Sequence, residues 1–263
     1  MDNIILILIF LIMFAIICII IEYLLKKSEK KLDQFYYSVN DVDPDLELIE
    51  SDKIDIYNEC INVYKKEGWE MWPEKELYRT NGTWKIFPFY AFGVWATENC
   101  KKCPTITRFI KSLKGVKLAT LSKLSPGMKL TQHQGWENHS NHVIRCHYGL
   151  LVPKGCYISV SNKNNPPLYD SRDKIKKFPY DIYHYNDVGN VDEQIKFHRQ
   201  FEWLIFDDSK VHYAENMSKM DRIVLIVDIE RPKHIKKGKS NIRDSKELYE
   251  IVDYFRKTQS TTQ

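Results

Sequence analysis

The 263-residue sequence lacks a long basic stripe, and its net charge of +4 is small for that length. A nucleic-acid-binding surface is therefore a poor fit. Its six cysteines, at 18, 60, 100, 103, 146 and 156, are too scattered for a dense disulfide framework. Cys100 and Cys103 form a C-x-x-C with lysines between them, but no second pair accompanies it. Two unlinked thiols fit a cytoplasmic setting, and a local disulfide fits a luminal one. A cleavage site of small residues is missing after the apolar N-terminus, which argues against a removed signal peptide.

What the N-terminus does have is an unbroken apolar run from Ile4 to Ile21, extended past Glu22 by Tyr23 to Leu25. A bilayer crossing needs about 20 such residues. Residues 1–25 are therefore expected to be an uncleaved single-pass anchor. Lys26, Lys27, Lys30 and Lys31 all follow it, and an excess of basic residues marks the cytoplasmic side. The following domain is expected to face the cytoplasm, with a luminal placement as the alternative.

Residues 26–46 are charged and end in DVDPDLE, which reads as a tether. Leu46 to Glu67 has no Gly or Pro and reads as a helix stopped by Gly68. From Trp84 onwards the pattern becomes short runs rich in β-formers. Strands are expected at Trp84–Tyr90, Val116–Leu124, Leu130–His133, Val143–Val152, Cys156–Val160, Phe201–Phe206 and Arg222–Ile229, with a short helix at Pro104–Ser112. Many short strands and few long helices predict a mainly β domain over 47–232, a barrel or double-sheet jelly roll. Residues 162–200, with Pro166-Pro167 and many Lys, Asp and Tyr, read as a long insertion, either a functional lid or a solvated loop. The tail, 233–263, is basic at first and then helical from Ser245 to Lys257.

Chemistry concentrates in a few places. Alternation along VIRCHYGLL turns Val143, Arg145, His147 and Gly149 to one face, and Ile144, Cys146, Tyr148 and Leu150 to the other. An Arg and a His side by side in a barrel interior need an anionic partner, and a bound dicarboxylate would supply one. His133 opens HQGWENHSNH, His212 lies in LIFDDSKVHYAEN, and Arg222 follows His212 by ten residues. Two imidazoles from distant segments, with a guanidinium one strand further on, suit a ferrous oxygenase that clamps a dicarboxylate.

Residues 84–232 resemble the aspartyl/asparaginyl β-hydroxylase family of Fe(II)- and 2-oxoglutarate-dependent dioxygenases. The resemblance rests on SKLSPGMKLTQHQG, RCHYGLLVP, LIFDDSKVH with Arg ten residues later, and VDIERP. It implies a double-stranded β-helix of jelly-roll type. It implies His133 and His212 as iron ligands, with Arg222 and Ser122 on the distal carboxylate of 2-oxoglutarate. Arg145 and His147 would meet the cosubstrate near its keto-acid end, Trp84 would line its site, and Asp208 would orient the metal centre from behind its ligands. The segment ENHSNH is longer than the family's usual spacing, so His139 and His142 compete with His133 as ligand; alignment of PGMKLTQHQG favours His133. Most related oxygenases read H-x-D, completing two histidines with a carboxylate. Gly135 stands at that third position, which water fills in part of the family.

The implied reaction uses Fe(II), 2-oxoglutarate and O2, releases succinate and CO2, and hydroxylates an unactivated C–H bond. The family acts on Asp or Asn side chains of proteins or, in a membrane-anchored bacterial branch, on a lipid acyl chain. The protein side chain is placed ahead of the lipid. Two rivals are a membrane-tethered binding module that keeps the fold without the metal, and a zinc-binding interaction domain built on Cys100 and Cys103.

Overall fold

A computed structural model describes residues 11–20, 31–66, 68–78, 82–162, 188–189 and 193–246, together with residues 249 and 253. Of the apolar run, residues 11–20 are α-helical with exposed side chains. Among the described residues no helix is long and apolar enough to cross a membrane. The rest of the expected anchor lies outside the described residues, as do most of the 162–200 insertion and most of the expected tail helix. Residues 31–33 group with 233–236 in a unit of their own, where the Leu32 amide donates to the His234 carbonyl at 2.8 Å. The main body, from Gln34 to Pro232 and again from Lys237, carries the site.

Its strands are β1 (Tyr36–Tyr37), β2 (Glu70–Met71), β3 (Trp84–Ala91), β4 (Val94–Trp95), β5 (Val116–Leu124), β6 (Val143–Leu151), β7 (Cys156–Ser161), β8 (Val188–Gly189), β9 (Glu193–Phe197), β10 (Trp203–Phe206), β11 (Val211–Asn216) and β12 (Arg222–Glu230). They make two antiparallel sheets. The larger runs β1-β10-β6-β12-β5-β3-β2, with β4 on β3, and the smaller runs β11-β7-β9-β8. Side chains of both close one core: Trp84, Ile86, Leu124, Leu204 and Phe206 from the larger, Ile158, Val160 and Ala214 from the smaller. The mainly β, double-sheet architecture read from the sequence is therefore present.

The larger sheet is buried on both faces. Behind it the Ile49–Tyr64 helix buries Ile49, Ile56, Cys60 and Val63, one stripe at helical spacing. The Pro104–Ser112 helix adds Ile106, Phe109 and Ile110. Glu59 of the first helix accepts from the Thr105 and Ile106 amides at 2.8 and 2.9 Å. One helix thus satisfies the free N–H groups that begin the other, with a carboxylate where the helix dipole favours it.

Several expectations are corrected. The stretch read as the end of a tether is packed from Phe35 onwards: Tyr36 and Tyr37 pair with β10, and Ser38 caps a short helix at Val39–Val42. Leu130–His133 is no strand, because its backbone meets the small sheet only at single bridges, Lys129 to Glu215 and His133 to His212. The last part of the presumed insertion is β9, which pairs along β7. Gly149 leaves no space for a ligand, since a Cβ there would lie 1.9 Å from the Arg199 carbonyl oxygen. All six cysteines are free thiols, with Cys103 buried.

Candidate active site

Alternation along β11 turns His212 and Ala214 into the core, and Tyr213 away from it. His133 arrives on the loop after β5 and is held to His212 by reciprocal backbone bonds, His133 N to His212 O at 3.0 Å and the reverse at 2.8 Å. The imidazole centroids are 4.3 Å apart. Each Nδ1 sits on a backbone carbonyl, that of Thr131 at 2.7 Å for His133 and that of Lys210 at 2.9 Å for His212. A carbonyl can only accept, so each Nδ1 must donate. Both Nε2 atoms are left with a bare lone pair, the form that binds a metal. Burial, then the neighbouring His212, pushes His133 down to about 3, although part of its surface stays open. Burial likewise pushes His212 down to about 4, so both rings are neutral at pH 7.

Asp208 reaches the same place from the β10–β11 turn. Its Oδ1 lies 3.4 Å from His212 Nε2. A Cβ on Gly135 would stand 2.0 Å from Asp208 Oδ2. The glycine therefore gives its side-chain space to a carboxylate from elsewhere in the chain. Both Asp208 oxygens are buried without a hydrogen-bond donor among the described residues; Arg145 Nη1 approaches Oδ1 to 2.5 Å but off the angle of a hydrogen bond. Burial raises the Asp208 carboxyl above its usual range, against the pull of Arg145.

Arg145 is fully engaged by protein. Asp228, directly opposite on β12, accepts from its Nε and Nη2 at 2.8 Å each, and takes a third bond from His139 Nε2 at 2.7 Å. Burial opposes the charge on Arg145, but Asp208 and Asp228 outweigh it and raise its pKa. Two protein carboxylates supply Arg145 with anionic partners. His139 is thereby committed to Asp228, and His142 is exposed. Of the three competing histidines, His133 is the one that faces His212.

Arg222 is the opposite case. It is 2 % exposed, and its Nε and Nη1 have no partner among the described residues. Burial drives it down to about 10. Ser122 stands beside it on β5, facing Val224, and accepts from Trp84 Nε1 at 3.0 Å. Trp84 stacks on Trp72 at 4.4 Å, Trp72 on Trp136 at 6.0 Å, and Trp84 lies 6.5 Å from the His133 ring. His147 Nδ1 meets His198 Nε2 at 3.1 Å. The outer nitrogens of that pair, His147 Nε2 and His198 Nδ1, are buried and have no partner among the described residues.

A family model described as aspartyl/asparaginyl β-hydroxylase matches residues 50–166 and 187–232, more than half of the chain. The chain belongs to the aspartyl/asparaginyl β-hydroxylase family. Similar proteins include an ornithine lipid ester-linked acyl 2-hydroxylase of Rhizobium tropici, 30% identical over 58% of this chain and 43% of that protein. Another is the mouse aspartate beta-hydroxylase domain-containing protein 2, 34% identical over 49% of this chain and 39% of that protein. The chain thus spans less than half the length of these relatives. A weaker likeness is to a prolyl hydroxylase of Trichoplax adhaerens, with TM-score 0.44, 12% identity and coverage of 70% of this chain and 80% of that one.

Within this family member, the fold brings His133, His212 and Asp208 together at one place, and Arg222, Ser122 and Trp84 along neighbouring strands. Arg145 lies between, bound to Asp208 and Asp228. Three groups escaped the sequence reading. Asp228 could have been found, since alternation from Arg222 puts it on the same inward face. His198 was masked by reading its segment as a loop. Glu74, in the WPE turn, accepts from Trp72 Nε1 at 3.1 Å, and burial pushes it up to about 7. Among the described residues no cluster of three His, Cys, Asp or Glu side chains is arranged to hold a metal ion, so a metal here would rest on the two imidazoles.

Proposed function

We propose that this protein is an Fe(II)- and 2-oxoglutarate-dependent dioxygenase that hydroxylates an unactivated C–H bond. The observation that carries this is the pair of bare imidazole Nε2 atoms in the same core as a buried guanidinium that lacks an anion among the described residues. The donor set fits the group: two neutral imidazoles hold a divalent transition metal, and a guanidinium matches a carboxylate. Bound together with O2, iron and 2-oxoglutarate supply oxidative decarboxylation to succinate and CO2, coupled to C–H hydroxylation.

The chain's own residues do the rest. Thr131 and Lys210 carbonyls fix the histidine tautomers before any metal arrives. Arg222 and Ser122 would take the distal carboxylate. Asp208, ion-paired with Arg145 but without a hydrogen-bond donor among the described residues, would accept hydrogen bonds from water beside His212, occupying the side-chain space that Gly135 vacates. Arg145 holds Asp208 in place rather than binding the cosubstrate directly. The Trp72, Trp84 and Trp136 stack keeps water from that end of the core.

The same geometry bears on the substrate. A carboxylate side chain needs a free cation at the metal, and Arg145 is already consumed by Asp208 and Asp228. Glu74, raised to about 7, supplies no cation there either. These features move the reading from an Asp side chain towards an uncharged target, an acyl chain, in line with the name of the Rhizobium relative. The apolar run at 4–21 would hold the domain where such chains lie. The test is mass spectrometry of lipid extracts and proteome from cells expressing the chain or its His212→Ala variant. The mass gain of one oxygen on lipids, absent with the variant, is expected. That gain on Asp or Asn peptides would reinstate the protein substrate, and no gain on either would favour a binding module.

A further inference from the structure

We propose that His198, through His147, completes the distal-carboxylate site at Arg222 and makes the pocket choose a dicarboxylate over a monocarboxylate 2-oxo acid. This rests on the dioxygenase reading above. His198 follows β9, where its amide donates to the Cys156 carbonyl at 2.9 Å. Alternation from Phe197 turns its ring inward, against His147 on the facing sheet. The two rings are nearly parallel, 11° apart, and Nδ1 of His147 meets Nε2 of His198 at 3.1 Å.

Proton counting gives this contact its meaning. Burial, and the positive charge of Arg222, disfavour the protonated form of both rings. Two neutral imidazoles carry two N–H protons on four nitrogens, and one proton occupies the shared bond. The other must sit on an outward nitrogen, His147 Nε2 or His198 Nδ1, and both are buried without a partner among the described residues. The interior thus contains a neutral N–H donor, a bare lone pair and a guanidinium with two nitrogens unpartnered among the described residues. A buried cation and a buried donor without acceptors are costly unless an anion meets them. The arrangement assigned here has His198 Nε2–H donating to His147 Nδ1. His147 Nε2–H then faces the carboxylate that Arg222 holds, and the bare His198 Nδ1 can accept from the guanidinium. His198 is a positioning residue: it sets the proton that His147 presents.

The test titrates the Mn(II)-loaded full chain without O2 by calorimetry, using 2-oxoglutarate and 2-oxopentanoate, which lacks the distal carboxylate. His198→Ala should weaken 2-oxoglutarate about tenfold, the loss of one hydrogen bond to a charged group, and leave 2-oxopentanoate unchanged. His198→Gln, whose amide can donate in place of Nε2–H, should recover most of the affinity. Equal loss for both acids, or for neither, overturns the inference. Wild-type protein that binds neither acid overturns the dioxygenase reading with it. If the variants do not fold, the wild type still decides: two-bond 1H–15N spectra should show the proton on Nε2 of both rings. A proton on His147 Nδ1 overturns the assignment.

Discussion

Arg145 and Arg222 are both buried arginines of the larger sheet, on the adjacent strands β6 and β12. Arg145 meets Asp228 through two bonds and Asp208 through an ion pair, and its charge is reinforced. Arg222 has no anion among the described residues, and burial weakens its charge to a pKa of about 10. A fold that can pair one buried guanidinium so completely is able to pair the other. The difference separates a cation that builds the interior from one that, on the proposed reading, would hold the cosubstrate. It also places Asp208 with Arg145 as scaffold, one step behind the two histidines.

The sharpest way to break this comparison is to remove an anion from the first arginine. Asp228→Ala strands Arg145 and His139 without an acceptor, and should cost roughly 3–5 kcal/mol in urea unfolding. An unchanged midpoint would mean that Arg145 is not scaffold. Removing the second arginine should do the reverse. Arg222→Met takes out an uncompensated buried charge, so the metal-free protein should gain about 1 kcal/mol or more. The same variant should lose its response to cosubstrate: at a hundred times Kd, 2-oxoglutarate should stabilise the Mn(II)-loaded wild type by about 2.7 kcal/mol and Arg222→Met not at all. A destabilised variant that still responds would make Arg222 another structural cation.

The sequence contains much of this contrast, unevenly. Strand alternation placed Arg145 and His147 on one face, and the same face is inward in the structure. The step from His212 to Arg222 and the family motifs marked the paired imidazoles and the buried guanidinium on which the proposed function rests. What alternation within one strand cannot show is which residue lies opposite on the next. The partnership of Arg145 with Asp228 is a matter of β6–β12 register, and so stayed hidden. Gly135 was legible as a missing carboxylate, but its replacement by Asp208 depends on two loops meeting. His198 was hidden because a Lys- and Tyr-rich segment reads as solvated until β7 supplies its pairing. The tether reading failed for a related reason: Tyr36 and Tyr37 are ordinary in a charged linker until β10 is seen beside them.

The place where Asp208 meets Gly135 gives a smaller test of the scaffold side. Gly135→Ala forces a Cβ to 2.0 Å from Asp208 Oδ2, which Arg145 restrains from moving aside. Overpacking of this kind costs about 1–3 kcal/mol. In an Asp208→Gly background the carboxylate part of the clash disappears and only the 2.7 Å approach to Ser140 Cβ remains, so the cost should shrink in part and the double-mutant cycle should show coupling. Additive effects would place the two residues apart.

The smallest expected effect concerns pH, and it sharpens the ligand side. His147 and His198 are neutral when folded, held well below the ordinary histidine range by burial, by one another in the case of His147, and by Arg222. The unfolded chain takes up protons on both below about pH 6.5, whereas the folded chain does not. Their contribution to stability is therefore complete above that pH and is lost as pH falls towards the folded values. His133 and His212 act in the same sense. Glu74, raised to about 7, acts in the other, stabilising below its ordinary range and losing that contribution as pH rises through 7. Each depressed imidazole adds up to about 1.4 kcal/mol per pH unit to the slope. For metal-free protein unfolded in urea, His198→Gln should flatten the fall between pH 6 and 5 by about that amount, whereas Arg222→Met, by removing the charge that helps keep both rings neutral, should flatten it by less. A slope untouched by His198→Gln would mean that this ring takes up a proton inside the folded protein, and the neutral pair beside Arg222 would have to be abandoned.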